Sequence, residues 1–85
     1  MIINFISKKT VDINQKIILQ ICKLKNTHWK FGLNNQISWF KDNIKKNDIH
    51  NLCYIKNKLI GYTALRNGFY YNNKQKKNFY YLILL

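Results

Sequence analysis

Apolar residues along the first half of the chain change spacing twice, and each change marks an element. Ile2 to Ile6 (IINFI) is a β-branched and aromatic run that stops at Ser7, Lys8, Lys9 and Thr10, which predicts an opening strand. From about Asp12 the spacing lengthens. Ile13, Ile17, Ile21 and Leu24 form one stripe, widened by Ile18 and Cys22, with Lys16, Gln20 and Lys23 outside it. This is the signature of an amphipathic helix, and Thr10 or Asp12 is placed to cap it. Asn26, Thr27, Gly32, Asn34 and Asn35 then predict an irregular connection carrying His28, Trp29 and Phe31. Ile37, Phe40 and Ile44 share one face of a second helix. Asn34 or Asn35 can cap its start, Lys45 and Lys46 suit its carbonyl end, and Asp42 and Lys46 are spaced as a surface pair.

The second half alternates instead. In His50 to Ile55 (HNLCYI), Leu52 and Tyr54 face one way and Cys53 and Ile55 the other; a polar turn at Lys56, Asn57 and Lys58 leads into Leu59 to Leu65 (LIGYTAL). An antiparallel hairpin follows from this pattern, with Gly61 marking a bulge or a close backbone approach. Asn67 and Gly68 are expected to end that arm, and Asn72 to Asn78 (NNKQKKN) to form a long basic tip. Phe79 to Leu85 (FYYLILL), apolar on both faces, reads as a last strand. The order is β-α-α-β-β-β, an α+β fold with a mainly antiparallel sheet and two helices. Nothing in the sequence covers the outer edge of the last strand, so self-association through it is expected.

Length and composition sharpen this picture. An 85-residue chain has room for a single core. With 47% hydrophobic and 15% aromatic residues it is too apolar to be disordered, despite a net charge of +12. That charge comes from fourteen Lys and one Arg against Asp12, Asp42 and Asp48. It favours polyanions in general, and a small basic nucleic-acid-binding module is the alternative functional class. The lysines are nevertheless scattered along every segment, which is the distribution of a solvated surface and makes a nucleic-acid partner the weaker expectation. Cys22 and Cys53 stand far apart with no secretion signal before them, so reduced, buried thiols in a cytoplasmic protein are expected. The longest apolar run is seven residues, against about 20 for a membrane-spanning helix, so no membrane association is expected.

Candidate chemistry is sparse. The three Asp occupy a helix start, a helix face and a turn, where capping and solvation account for them without carboxylate-pair catalysis. Cys22, Cys53, His28 and His50 lack the close pairing of a metal site, so no metal is expected. With glycines only at 32, 61 and 68 there is no P-loop, dinucleotide motif or nucleophile elbow, and no catalytic residue can be named. The cluster Trp29, Phe31, Trp39 and Phe40 either walls a substrate pocket or forms core.

Taken with the element order, the run from Asn34 to Leu65 (NNQISWFKDNIKKNDIHNLCYIKNKLIGYTAL) resembles the N-terminal half of the GNAT superfamily of N-acetyltransferases. The likeness covers about residues 1–70 and includes the I-G-Y-x-x-L wording of the third strand. It implies acetyl transfer from acetyl-CoA to an amine acceptor, with Trp29, Phe31 and Arg66 as acceptor contacts and an amino sugar as the acceptor suggested by the aromatic loop. It also implies a coenzyme-binding run of the form Q/R-x-x-G-x-G/A, which these residues do not contain. The expectation is therefore a single partial GNAT-like domain over 1–85, truncated at about the fourth strand, without a cofactor site and inactive alone. It would be either a fragment of a longer transferase or the product of an interrupted reading frame.

Overall fold

The computed structural model describes residues 2–83. Its elements are β1 (Ile3–Lys9), a single 3₁₀ turn (Thr10–Asp12), α1 (Gln15–His28), α2 (Leu33–Asn43), β2 (Ile49–Ile55), β3 (Lys58–Asn72) and β4 (Gln75–Leu82). All four strands pair antiparallel in the order β1-β2-β3-β4, so the sheet has no crossover. The α+β class and the β-α-α-β-β-β order follow the sequence pattern.

Both helices lie on one face of the sheet. Ile21 and Cys22 from α1 and Phe40 from α2 are buried against Leu52 of β2 and Leu59 of β3. Ile13, Ile17, Ile18, Leu24, Ile37 and Ile44 close the edges of this core. The same stripe that defined the helices in the sequence thus becomes the contact surface. The caps differ from expectation. Asn14, not Thr10 or Asp12, accepts the Ile17 amide at 2.9 Å. α2 starts from Gly32, whose φ of 93° is open to glycine and strained for other residues, and neither Asn34 nor Asn35 caps it. Because α2 ends at Asn43, Lys46 is off the helix, and Asp42 and Lys46 do not pair.

The largest departure is at the C-terminal hairpin. β3 does not end at Asn67 and Gly68 but continues to Asn72, and the expected basic tip is mostly strand. Only Asn73 and Lys74 turn, both at positive φ (51° and 64°), as in the two-residue turns that match strand twist. The reason is local. Gly68 leaves room for the Phe79 ring lying across it, since a Cβ there would stand 2.7 Å from the ring. Residues 66–82 therefore form a two-stranded arm, exposed at every position of β4. The arm stretches the molecule to 47 Å and raises the radius of gyration to 14.7 Å, against roughly 12 Å for a compact chain of this length. The expected last strand extended to residues 84–85, which lie outside the described residues.

The other sheet face is bare. Ser7, Asn51 and Thr63 form a hydrogen-bonded row across it, and Phe5 stands 79% exposed. Cys53 shares this face and is only half-buried, so of the two thiols expected inside, Cys22 alone is buried. Opposite Cys53 the register shifts: Gly61 faces it and Ile60 is the extra residue, a bulge at the position its glycine suggested.

Replacing Leu52 by Ala should lower unfolding free energy by about 2–5 kcal/mol. Phe5→Ala, on the bare face, should change it by no more than about 0.5 kcal/mol. Urea titrations followed by circular dichroism compare the two; equal losses would mean that both faces are covered.

Candidate functional site

Two features stand out from ordinary packing, and they divide the buried polar groups between structure and cleft. The first lies under the α2–β2 turn. Asp48 is 2% exposed and accepts from Arg66 Nε at 2.9 Å and Nη2 at 2.8 Å, and from the Lys45 amide at 2.7 Å; Arg66 Nη2 also reaches the Asn43 carbonyl at 2.8 Å. Asp48 is thus a buried, bidentate partner and not the solvated turn residue that the sequence suggested. Burial raises its carboxyl, but the Arg66 hydrogen bonds, the Lys45 amide and the guanidinium charge together hold it below the ordinary carboxylate value.

Beside it, His50 is fully buried between the rings of Phe40 and Tyr62. Its Nδ1 lies 2.6 Å from the Tyr62 hydroxyl and its Nε2 2.7 Å from Thr10 Oγ1, which donates onward to the Lys45 carbonyl at 2.7 Å. This chain is satisfied by neutral imidazole, with Tyr62 donating to Nδ1 and Nε2–H donating to Thr10. Desolvation accordingly lowers the His50 pKa, against a smaller opposing pull from Asp48. No surface is left on His50 for a substrate, so it holds β1, β2 and β3 together.

The second feature is a pair of clefts at the end of α1. The larger, about 560 Å³, runs between α1 (Leu24, Lys25, His28, Trp29) and β3 (Ile60 to Ala64), reaching Leu82 and Ile83. The smaller, about 210 Å³, is walled by Trp29, Phe31 and Trp39, with Asn35 and Gln36 at its side. Lys25 and Trp29 belong to both. Trp29 is the residue at which α1 stops, its amide bonded to the Lys25 carbonyl at 2.9 Å and its carbonyl taken by Gln36 Nε2 at 2.8 Å, so its backbone is fixed at the junction. Lys25 is only 4% exposed, and its ammonium lies 4.3 Å from the Trp39 ring centre. Among the described residues the one ion pair is Asp48–Arg66. Burial lowers the Lys25 pKa, with the neighbouring Cys22 opposing weakly.

Of the residues named from sequence, Trp29 and Phe31 therefore come together on the smaller cleft, whereas Arg66 lines neither cleft and is engaged by Asp48. Lys25 was missed. Its spacing four after Ile21 and three after Cys22, on the apolar stripe of α1, was the available signal. Among the described residues there is no group of three or more His, Cys, Asp or Glu able to hold a metal, and no helix is long and apolar enough to cross a membrane.

Fold and site together define a two-layer α+β unit with a cationic, aromatic cleft at one helix end. Comparison with protein-family models, curated proteins and solved structures yields no match.

Two depressed pKa values give acid sensitivity in two steps. His50 resists the proton that an unfolded chain takes up near its ordinary value of 6.5, so stability should fall as pH drops below that point. Asp48, ionised in the folded state below its ordinary 3.8, adds stability that is lost as pH falls further. Urea midpoints from pH 8 to 3 should show both steps, and His50→Gln should flatten the first. A midpoint unchanged between pH 8 and 5 would contradict the buried neutral histidine.

Proposed function

We propose that this chain forms the acceptor-side portion of a GNAT-type N-acetyltransferase fold, holding an amine acceptor in the cleft at the end of α1. The observation that carries this reading is the convergence of the α1 end, the Ile60, Gly61 and Tyr62 segment of β3 and the end of β4 on one cleft. The antiparallel order β1-β2-β3-β4, with both helices between the first two strands in sequence, supports it further. Trp29, which borders both clefts, and Phe31, on the adjoining smaller one, are the proposed acceptor contacts. Arg66 acts on this reading by fixing the α2–β2 turn and not by touching the acceptor. The two free thiols favour residence in a reducing, cytoplasmic compartment.

On this reading the described residues lie outside the acetyl-CoA site that the resemblance implies. A coenzyme diphosphate needs several unpaired amides at a glycine-rich helix start. α1 is capped by the Asn14 side chain, and α2 opens from the single Gly32. The chemistry proposed for these residues accordingly stops at binding and orienting an amine. Scanning fluorimetry against acetyl-CoA and a panel of primary amines, amino sugars included, tests it. An amine should raise the melting temperature and acetyl-CoA should not. Stabilisation by acetyl-CoA, or by no amine in the panel, would overturn this division of labour.

A second reading draws on the arm. Phe69, Tyr70, Tyr71, Phe79, Tyr80 and Tyr81 are all at least 42% exposed there, Lys74, Lys76 and Lys77 lie at its tip, and no Asp or Glu occurs after Asp48. Exposed rings between lysines suit single-stranded nucleic acid. The unpaired edge of β4 suits a second copy of the chain instead. Salt separates them. Nucleic-acid binding weakens as salt rises, whereas self-association strengthens when the +12 charge is screened. Gel filtration with and without an oligothymidine, at low and high salt, should show self-association growing with salt. A complex that forms at low salt, dissociates at high salt and is lost on Tyr80→Ser would select the nucleic-acid reading.

A further inference from the structure

Among the described residues β4 pairs with β3 on one side and with nothing on the other. The register gives the free side a definite composition. The Ile83 amide donates to the Ala64 carbonyl at 2.9 Å, so the odd-numbered residues of β4 turn their amides and carbonyls toward β3. Lys76, Asn78, Tyr80 and Leu82 therefore turn theirs outward, and all of them are exposed. The strand is also lopsided along its length. Lys76 and Lys77 stand near the turn, while Phe79, Tyr80, Tyr81 and Leu82 form the other end. An edge of this kind is a template for a strand of matching character.

We propose that β4 pairs with β4 of a second copy of this chain, antiparallel and two-fold symmetric about Phe79. The inference rests on the second-copy reading of the arm and adds its orientation and register. Charge sets the orientation. A parallel, in-register pairing stands Lys76 and Lys77 beside their own copies, about 4.8 Å away, in a chain of net charge +12. The antiparallel pairing sets them against the aromatic end instead, Lys76 opposite the partner's Leu82 and Lys77 opposite the partner's Tyr81. The chain already makes a contact of this kind, with the Lys76 ammonium 4.6 Å from the Phe69 ring centre. Hydrogen bonding sets the register. Phe79 is the midpoint of the outward residues, so only a pairing centred there gives each of Lys76, Asn78, Tyr80 and Leu82 an outward residue of the partner. On one face, Tyr70, Phe79 and Tyr81 form a row with ring centres 6.1 and 5.8 Å apart. Phe79 meets the partner's Phe79 at the axis, which joins the two rows into one. The interface is closed, since each copy uses the same edge.

Proline at an outward position discriminates, because it removes an amide that β3 does not use. Sedimentation equilibrium of the full chain at high salt should show a dimer. Tyr80→Thr loses the ring and keeps the amide; Tyr80→Pro should weaken dimerisation about tenfold or more beyond it, since the same hydrogen bond is lost in both copies. A nitroxide on Lys74→Cys, in a chain carrying Cys22→Ala and Cys53→Ala, reports the direction. Antiparallel pairing about Phe79 places the two labels about 30–35 Å apart, and parallel pairing less than about 15 Å. This distance stands whether or not the proline variant keeps its arm. Equal dissociation constants for Tyr80→Thr and Tyr80→Pro, or the short distance, overturn the proposal while self-association of the arm survives. An unaltered chain that stays monomeric at every salt concentration removes the second-copy reading itself and the pairing with it. So does a chain that assembles only on an oligothymidine, which assigns the arm to nucleic acid.

Discussion

The Asp48 carboxylate joins segments that hydrophobic packing alone would leave free to slide. Through Lys45 it sets the turn that brings α2 into β2, and through Arg66 it ties that turn to β3, one strand further across the sheet. His50, two residues on, extends the tie to Tyr62 on β3 and to Thr10 in the 3₁₀ turn that follows β1. Sheet register is a discrete choice, because a slip by one residue turns every side chain to the opposite face. A polar cluster with a single satisfied arrangement allows only one of those choices. The apolar core contributes attraction, and this cluster contributes the alignment.

That alignment matters because the core is small and one-sided. Two helices of 14 and 11 residues cover only the part of the sheet where Leu52 and Leu59 lie. The opposite face and the arm have no apolar cover from the described residues. The clefts at the end of α1 arise at the boundary of the covered region, where the helix stops at Trp29 but β3 continues. Lys25 is buried there by the rings around it, and its long aliphatic stem extends the apolar stripe of α1 to the rim.

The helices were legible in the sequence because burial on one side writes a period into the chain, and Ile13, Ile17, Ile21 and Leu24 carry it. The β2–β3 hairpin and its bulge were legible for the same reason, together with Gly61. The arm was not. Both faces of residues 69–78 meet solvent, so no side is selected for apolar residues, and a solvated strand reads like a loop. Asp48 was misread because its partner lies 18 positions away, a distance over which local pattern carries no information. Lys25 was hidden by its own chemistry, since lysine in a helix is ordinarily a solvent residue and only its place on the stripe argued otherwise. Trp29 and Phe31 were singled out because aromatic residues in a polar, glycine-bearing connection have few structural reasons to be there.

β3 is continuous from Lys58 to Asn72, yet its two halves live in different surroundings. Lys58 to Leu65 is flanked by β2 and covered in part by α1, while Arg66 to Asn72 has only β4 beside it. One unbroken strand therefore spans two regimes of cooperativity. Amide protons in the distal half exchange with water through fraying of the hairpin from its Asn73–Lys74 tip, at a free-energy cost far below that of global unfolding. Protons in the proximal half wait for the sheet itself to come apart. The boundary falls at Arg66, where the ion pair to Asp48 stops the fraying from running further in.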